Sequence, residues 1–587
     1  IQISKLRFFI SLVIDQKRND NPADNFGIRP LPNLEAKFVA ANSLLGLKRT
    51  EASLFDSEEI KQKERQLKIA KHKIFSARRP TTKEKWRNEV VRLRKEIADL
   101  LLEKDCIGNE QAAQLAQWDM FDQNTFAPFF DAEWMFGVKE GFDILIANPP
   151  YISTKGVSTA DKKLFEAEFG FSDDTYNLFF FKGFSLLCEG GCITYITPKT
   201  FWTTQTKRNL RDLLLANTLN YVFDTANPFE AVVVDTCITS AVKNKPAAEN
   251  LVRFMDGRKS LLQPERLTVA QSVYLNTQNS VIFKPSELNM RIYELYGEKV
   301  KALYDKWWDK IKTSREIEKN KRELEEYRAS LKPGDVALLG CLTEGGQGLA
   351  TANNGKYIAV RSTTKWAENI RVSRPKKLAD FLARTPKAIT AEMRRYPSYV
   401  AFLQSLSEAE IAELFDSLKE QYGRDIFGQG YLYKIVDDCE IADVDSLTND
   451  EKENGIETTK PYYVPYDKGD KDGNRWYLET PFAIAWSKEN VRFLKTDPKA
   501  RYQGYTFYFR EGLCWSDINT MFLKCRKKEK SIHDVKSMSI FGVSNLLSED
   551  YIITMINSTL ISHYVDNFVN NTQTFQINDA RQLPIII

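Results

Sequence analysis

Residues 142–151, Phe-Asp-Ile-Leu-Ile-Ala-Asn-Pro-Pro-Tyr, join a short apolar run to an asparagine, two prolines and a tyrosine. The run Ile144 to Ala147 is short and partly β-branched, which predicts a parallel strand buried on both faces. Pro149 and Pro150 lack the N–H that a strand needs to continue, so the backbone leaves the sheet at Asn148. In an open parallel sheet such an exit lies at the carboxyl ends of the strands, where ligands bind.

The groups at this exit suit chemistry on an exocyclic amine such as N6 of adenine. Such an amine is a weak nucleophile because its lone pair is delocalised into the ring, and two acceptors aimed at its protons favour the tetrahedral geometry of attack. The side-chain oxygen of Asn148 and the carbonyl of Pro149 are candidates for these acceptors, and Tyr151 is a candidate for stacking on a base extruded from a duplex. The alternative is that the four residues form only a turn.

Several stretches of the chain resemble the amino-methylating DNA methyltransferases with an Asn-Pro-Pro-Tyr motif. The nearest resemblance is to the adenine methylases of type IIG restriction-modification polypeptides and to the related phage-defence methylases, and it covers nearly the whole chain. Besides 148–151, it rests on residues 31–34 with 41–44, Tyr176–Phe179, Gly190–Pro198 and Phe229–Thr236. The resemblance implies S-adenosylmethionine as cofactor, with Asn42 on its adenine, and double-stranded DNA as partner, with Phe229 packed against the flipped base.

One part of the family pattern is not found in these residues. Family members place a glycine-rich cofactor loop and an acidic ribose partner before a helix that resembles residues 1–16 here. We therefore expect a fragment of a longer polypeptide, with an incomplete cofactor pocket and no methylating activity by itself. The glycine-rich residues 342–349 do not replace the loop, because no Gly-Lys-Ser/Thr and no apolar helix follow them. The resemblance places them at the start of a DNA-recognition domain, and a flexible turn before 356–360 is the alternative.

The composition describes a globular protein with more than one domain, since 43% of its 587 residues are hydrophobic. No apolar run reaches ~18 residues and nothing resembles a signal peptide, so we expect no membrane span. The eight cysteines are scattered, with no Cys-x-x-Cys pair and no histidine at zinc spacing. This pattern predicts that the chain has no metal site. It also predicts that the thiols are reduced, as in a cytoplasm, and that Cys188 and Cys192 are buried.

The alternation of helical and strand patterns predicts an α/β fold with a doubly wound methyltransferase sheet, incomplete on its N-terminal side. The predicted domains are a catalytic domain at 1–285, a helical connector at 286–334 and an α+β target-recognition domain at 335–587. The connector is predicted as one helix, Leu288–Leu331, in which Trp307 and Trp308 are packing anchors.

Smaller elements follow from the periodicity of apolar residues. A helical hairpin inserted at about 57–105 is predicted from Glu58–Ala77 and Thr82–Glu103, as a solvated arm or a DNA contact. The other predicted elements are a helix at 1–16, strands at Phe38–Ala41, Ile193–Ile196, Tyr221–Phe223 and Val232–Ala241, a helical region at Lys376–Tyr422, strand-like runs from Tyr431 to Lys524, and a helix at Tyr551–Phe568.

Two local clusters suggest contact with phosphates, although a net charge of +4 does not by itself demand a polyanion. Residues 501–510 interleave aromatic and basic side chains, and 524–530 are strongly basic. The polar stretch 570–576 has groups that can contact bases or the sugar-phosphate backbone. The DNA-binding candidates are Arg501, Tyr502, Arg510, Lys524, Arg526, Lys527, Asn571 and Thr572. The alternative for such charge runs is a solvated loop.

Two other functions fit parts of the same pattern. A protein-glutamine methyltransferase faces the same lone-pair problem at an amide nitrogen, but the large basic and aromatic C-terminal part favours DNA. A non-catalytic DNA-binding specificity module is the second alternative, if the cofactor loop is absent from the functional protein. We find no Asp/Glu-x-Lys nuclease pattern on a pair of predicted strands.

Overall fold

Two mixed β-sheets organise the chain, one in each of the two units of a computed structural model. The first unit comprises Ile1–Phe201 and Thr206–Leu275, and the second comprises Trp202–Gln205 and Asn276–Ile587. The structure describes residues 2–28, 38–47, 58–77, 79–104, 106–118, 126–229, 234–313, 317–423, 426–427, 433–469, 476, 480–518 and 522–587.

The first unit combines nine α-helices and six strands among its described residues. The helices are α1 Gln2–Ile14, α2 Glu58–Ser76, α3 Pro80–Glu103, α4 Asn109–Gln117, α5 Ala132–Phe136, α6 Thr159–Phe169, α7 Thr175–Leu186, α8 Arg208–Ala216 and α9 Gln271–Leu275. The strands are β1 Phe142–Ala147, β2 Leu187–Pro198, β3 Thr218–Ala226, β4 Thr236–Val242, β5 Leu251–Asp256 and β6 Glu265–Ala270.

The strand order of this sheet is β1-β2-β4-β3-β5-β6. Strand β2 is parallel to β1, β4 is antiparallel to both β2 and β3, and β5 is parallel to β3. Strands β1, β2, β3 and β5 therefore run in the same direction and end at the same edge of the sheet. Helices α6 and α7 connect β1 to β2, and α8 connects β2 to β3. The predicted α/β class is confirmed.

Strand β1 forms one edge of the sheet among the described residues, and its predicted burial on both faces is wrong. Ile144 is 65% exposed and Ile146 is 79% exposed. Both face the same side of the sheet, because alternate residues of a strand point to the same face. This face of β1 is apolar and is not covered by any residue that the structure describes.

The predicted helical hairpin is confirmed as α2 and α3. Leu67, Ile74, Val90, Leu93 and Ile97 are buried in its core, where they pack at helical spacing. Ile69 of α2 lies outside this core and is 53% exposed.

Two other expectations for the first unit are wrong. Phe38–Ala41 is not a strand, since only Ala41 makes an isolated bridge, to Ala127. Cys188 and Cys192 are half-buried. The partial exposure of Cys192 follows from the alternation of β2. Ile193 and Tyr195 face the core, while Cys192 lies on the opposite face.

The second unit contains thirteen helices and ten strands among its described residues. The helices are α10 Glu287–Ile292, α11 Glu298–Thr313, α12 Glu318–Ser330, α13 Leu339–Leu342, α14 Asn354–Tyr357, α15 Lys365–Arg384, α16 Tyr399–Ser405, α17 Glu408–Tyr422, α18 Asn449–Asn454, α19 Lys488–Thr496, α20 Glu549–Ile556, α21 Thr559–Tyr564 and α22 Ile577–Ala580. The strands are β7 Val336–Leu338, β8 Thr343–Gly345, β9 Ile358–Arg361, β10 Lys434–Val436, β11 Tyr463–Asp467, β12 Phe482–Ala485, β13 Arg510–Ser516, β14 Arg526–His533, β15 Ser537–Gly542 and β16 Pro584–Ile586.

An eight-stranded mixed sheet, in the order β10-β9-β12-β11-β14-β13-β15-β8, forms the centre of this unit. The single helices predicted at 288–331 and 551–568 are each interrupted. The first ends at Thr313 and resumes after Ile317, whose backbone is extended, and the second breaks at Asn557-Ser558. Trp307 and Trp308 are buried and stack on Tyr327 and Tyr304, which confirms them as packing anchors.

The predicted connector, 286–334, lies within the second unit. The sequence-based domain boundaries stay predictions. No described helix is both long and apolar enough to cross a membrane.

The glycine-rich residues 342–349 are packed against β14. Gly345 lies in β8, and Leu349 bridges Asp534 just after β14. A Cβ atom on Gly348 would lie 2.0 Å from the carbonyl oxygen of His533, so only glycine permits this close approach. The segment is therefore packed against strands, so the alternative of a flexible turn is wrong.

We predict that Gly348→Ala destabilises the second unit by about 2 kcal/mol or more, because a methyl group there forces the two backbones apart. Chemical denaturation followed by intrinsic fluorescence measures the change. Gly542→Ala is the matched control, since a Cβ there meets nothing within 4 Å. Equal stability of the two variants would contradict the close approach.

Candidate active site at the carboxyl edge of the first sheet

The end of β1 places Asn148 at the surface. Ile146 and Ala147 pair with Thr194 and Tyr195 of β2, and the chain leaves the sheet at the next residue. Asn148 is exposed, and its side chain makes no hydrogen bond to any residue that the structure describes. Pro149 beneath it is buried. The amide of Asn148 is therefore available to a ligand at this edge.

Tyr151 is fixed in place by β2. Its hydroxyl donates a hydrogen bond to the carbonyl oxygen of Ile196, 3.1 Å away. The residue is half-buried, and burial raises the pKa of its phenol to about 12. The hydroxyl therefore stays protonated as a donor at neutral pH, and the ring is held next to the Asn-Pro-Pro turn.

Thr175, the first residue of α7, holds the backbone that follows the turn. Its hydroxyl donates to the carbonyl oxygen of Pro150 and accepts from the amide of Ile152 at 3.1 Å. Its own amide donates to the carbonyl oxygen of Ile152 at 2.9 Å. These three bonds join the start of α7 to both sides of Tyr151. Sequence reasoning missed Thr175, because its partners Ile152 and Pro150 are 23 and 25 residues away in sequence.

Asp174 and Lys207 extend this network. One carboxylate oxygen of Asp174 accepts from the amide and the hydroxyl of Thr154, at 2.8 and 3.0 Å, and the other lies 2.8 Å from Nζ of Lys207. Burial alone would raise the pKa of Asp174, but the bonds from Lys207 and Thr154 outweigh it and hold the pKa below its usual value. Lys207, itself buried, also pairs with Asp173.

Phe229 lies in the connection between β3 and β4, which starts at the same sheet edge. It is half-buried, and its amide donates to the side-chain oxygen of Asn227 at 3.2 Å. Strand β3 lies three inter-strand steps from β1, a distance of about 14 Å across the sheet. The three residues from Ala226, at the end of β3, to Phe229 can extend over about 10 Å of that distance. Phe229 therefore lies on the correct edge to approach a group held at Asn148.

Lys199 joins the two ends of that connection. Its Nζ lies 3.3 Å from a carboxylate oxygen of Asp224 in β3 and 3.0 Å from one of Asp235 before β4. Its amide also donates to the carbonyl oxygen of Asp235 at 3.1 Å. Thr225 and Thr236 add a hydroxyl contact of 2.7 Å between the same two strands. Sequence reasoning missed Lys199, because its partners are 25 and 36 residues away in sequence.

Asn42 is half-buried after the bridge between Ala41 and Ala127. Its side-chain oxygen accepts from the amide of Leu44 at 3.2 Å, which leaves its NH₂ group as a possible donor. Leu44 packs with Phe165 and Leu178 of helices α6 and α7. The segment with Asn42 is thus attached to the helix that begins at Thr175. Residues 31–34, the other half of this motif, lie outside the described residues.

The basic run at 524–530 is arranged differently from our expectation. Because β14 alternates, Arg526 and Lys528 face the interior, each 2% exposed, and the negative charge of Asp467 interacts with both. Lys530 pairs with Asp445 at 2.5 Å. Arg526 therefore does not suit a surface contact with phosphate, whereas Lys527 is exposed.

The other DNA-binding candidates differ in their surroundings. Lys524 is half-buried, and Arg510 bonds to Glu344 at 2.8 Å, so the charge of Arg510 is partly neutralised. Asn571 is held by Thr203, whose hydroxyl lies 3.0 Å from its side-chain oxygen.

Thr572 is tied into its own turn by bonds to Asn570 and Thr574. Arg501 is exposed, and Tyr502 is half-buried against Trp486. The candidates thus differ in exposure and in bonding partners, and their DNA contacts stay predictions.

Comparison with known proteins supports a methylase. Residues 1–229 match the family model of the Eco57I restriction-modification methylases. This part of the chain thus carries the family's sequence pattern, and the matched residues include Asn42, the Asn-Pro-Pro-Tyr turn and Phe229.

One curated relative is the "Putative type II restriction enzyme and methyltransferase RM.MjaORFECS2P" of Methanocaldococcus jannaschii. It is 29% identical over 116 residues, which are 19% of this chain and 10% of the relative.

Among solved structures, the type IIL restriction-modification enzyme MmeI in complex with DNA is 11% identical, with a TM-score of 0.33. The comparison covers 88% of this chain and 64% of MmeI. The type IIG restriction endonuclease BpuSI is 13% identical, with a TM-score of 0.25, over 92% of this chain and 59% of BpuSI. The chain thus spans less than two thirds of these relatives.

We predict that Thr175→Val speeds amide hydrogen exchange at Ile152 roughly fivefold, because one hydrogen bond of about 1 kcal/mol is lost. Mass spectrometry of a peptide spanning residues 150–156 measures the rate. Thr175→Ser retains the hydroxyl and is expected to exchange like the native chain. Equal rates in the valine and serine variants would show that Thr175 does not hold the turn.

Proposed function

We propose that this chain carries the catalytic and DNA-recognition parts of an S-adenosylmethionine-dependent DNA methyltransferase, which methylates N6 of adenine in a restriction-modification or phage-defence system. The observation that carries the proposal is the exposed side chain of Asn148 at the carboxyl end of a parallel strand, beside a ring of Tyr151 that is already fixed. The match of residues 1–229 to a restriction-modification methylase family supports the same conclusion.

In this proposal the two acceptors of the turn bind the N6 amino group. The side-chain oxygen of Asn148 and the carbonyl oxygen of Pro149 accept its two protons, which favours tetrahedral geometry and frees the lone pair for attack. The base must leave the duplex to reach this edge. Tyr151 offers a face for stacking, and Phe229 approaches from the β3–β4 connection.

The bond of Tyr151 to Ile196 and those of Thr175 to the turn fix these groups before the base arrives. These side chains then lose less conformational freedom when the base binds.

The described residues fit only part of the cofactor. S-adenosylmethionine supplies an electrophilic methyl group on a sulfonium, and the NH₂ group of Asn42 suits its adenine. Among the described residues, no group suits its ribose or methionine.

We propose that polypeptide outside these 587 residues completes this pocket. Among the described residues, β1 is an edge strand with Ile144 and Ile146 exposed. This supports the proposal, because an apolar edge strand is a template for pairing with another strand.

We predict that Asn148→Ala, in the chain extended by its upstream region, lowers methyl transfer to DNA by about 10²-fold or more, since one preorganised acceptor is lost. DNA binding is expected to stay unchanged, because no phosphate contact is removed. Transfer of a labelled methyl group, with N6-methyladenine identified in the digested product, measures the effect.

Ser153→Ala, in the same exposed loop, is the matched control for this substitution. Near-native turnover of Asn148→Ala would overturn the assignment of the site. A label found on protein glutamine instead of DNA would overturn the substrate.

For the 587 residues alone, we predict that calorimetric titration with S-adenosylmethionine gives no micromolar binding, because the ribose and methionine contacts are incomplete. The extended chain is expected to bind. Micromolar binding by the shorter chain would contradict the incomplete pocket but would leave the role of Asn148 intact.

A further inference from the structure

A group of exposed cations surrounds helix α19 in the second unit. We call it the α19 surface and define it by five residues, Lys356, Arg492, Lys495, Lys499 and Arg501. All five are exposed, and none lies within ion-pair distance of a carboxylate in the part of the chain that the structure describes. Many other exposed lysines of this unit are paired, such as Lys488 with Glu457 and Lys460 with Glu451.

The amphipathic pattern of α19 produces this arrangement. Ser487 caps the helix, its hydroxyl accepting from the amide of Asn490, and Val491 and Leu494 are buried in the core of the unit. Because residues three and four apart share a face of a helix, the burial of these two turns Arg492 and Lys495 outward. Arg492 and Lys495 are therefore held by a packed helix, in contrast to a solvated loop.

Aromatic rings connect these cations into one surface. Nζ of Lys356 lies 4.4 Å from the ring centre of Phe493, and the guanidinium of Arg492 lies 5.6 Å from it. Nζ of Lys495 lies 5.5 Å from the ring centre of Tyr502. Phe493 is itself exposed. These three cations thus rest beside a ring, which limits their freedom without neutralising their charge.

Tyr502 leads from these cations to a second exposed ring. It stacks on Tyr505 with ring centres 5.9 Å apart, and Tyr505 is 61% exposed. Burial raises the pKa of Tyr502 to about 12, so its hydroxyl is uncharged at neutral pH. Exposed rings next to unpaired cations can pack on sugars or bases while the cations meet phosphates.

The surface carries some negative charge, but less than positive. Glu489 lies on the same helix and Asp497 caps its C-terminus, while Glu453 is near Tyr502. Asp497 accepts the backbone amide of Lys499, 2.8 Å away, which leaves the ammonium group of Lys499 outward. Helix α18, which packs against α19, adds Asp450, and Nζ of Lys495 donates to the side-chain oxygen of Asn454, 3.0 Å away, without being neutralised. Five cations without an ion-pair partner against these four acids give a positive surface, and the partner that it complements is an anion of extended shape.

We propose that the α19 surface binds the phosphate backbone of double-stranded DNA, with Arg492, Lys495 and Arg501 as its central contacts. The proposal rests on the proposed function, because it supplies the DNA contact which that function requires. The proposal also places the main electrostatic contact with DNA at the α19 surface and not at residues 524–530, where Arg526 and Lys528 are buried. Several phosphate contacts position a duplex before any base is read.

The test uses the triple variant Arg492→Gln, Lys495→Gln and Arg501→Gln in the whole chain. Fluorescence anisotropy with a labelled duplex gives the affinity at several salt concentrations. Each lost phosphate contact lowers the slope of log K against log salt by about 0.9, so we expect the slope to fall by about 2 to 3 and the affinity at low salt by about tenfold or more. The loss is expected for duplexes of any sequence, since phosphates carry no sequence information.

The matched control is Lys301→Gln, Lys321→Gln and Lys460→Gln, which removes the same charge from lysines that are ion-paired. We expect its slope to equal that of the native chain. Thermal unfolding of both triple variants distinguishes the loss of a DNA contact from the loss of the fold. If the α19 triple variant is unfolded, the single variant Arg492→Gln replaces it in the test, with an expected slope change of about 0.9.

An unchanged slope in the α19 variant, with native DNA binding intact, overturns the proposed surface and leaves the proposed function standing. Failure of the native chain to bind any duplex overturns both. Binding of the native chain to vesicles containing phosphatidylserine, without binding to DNA, would assign the surface to a membrane and overturn the proposal.

Discussion

The parallel pairing of β1 with β2 is the constraint on which the candidate site depends. It brings the end of β1 next to the end of β2, where the carbonyl oxygen of Ile196 holds Tyr151. Two consecutive prolines prevent any further pairing, so Asn148 is at the surface by backbone chemistry and needs no support from its own side chain. The start of α7 then fixes the turn from the other side, through Thr175 and Asp174.

The sequence predicted those parts of the fold and site that depend on local rules. The strand before Asn148, the hairpin of α2 and α3 and the buried tryptophans of α11 follow from periodicity and from the chemistry of proline. The exposure of Ile144 and Ile146 did not follow, because a short apolar run is the same whether or not a neighbour covers it. Thr175, Lys207 and Lys199 act over 20 residues or more, a distance that no local pattern records.

The two basic regions of the second unit illustrate a limit of counting charges along a sequence. Residues 524–530 have the higher local density, yet β14 directs Arg526 and Lys528 inward and a carboxylate neutralises Lys530. Helix α19 has a lower density, but its burial pattern directs Arg492 and Lys495 outward. Secondary structure decides which charges reach solvent, since a strand alternates its faces and a helix repeats its own every three to four residues.

The bonds of Lys199 across the β3–β4 connection also bear on how such a protein can diverge. Because Asp224 and Asp235 are tied to one ammonium group at the root of the connection, the two strands are joined there independently of Asn227, Pro228 and Phe229. Natural variation at these three positions is therefore expected to leave the pairing of β3 with β4 intact.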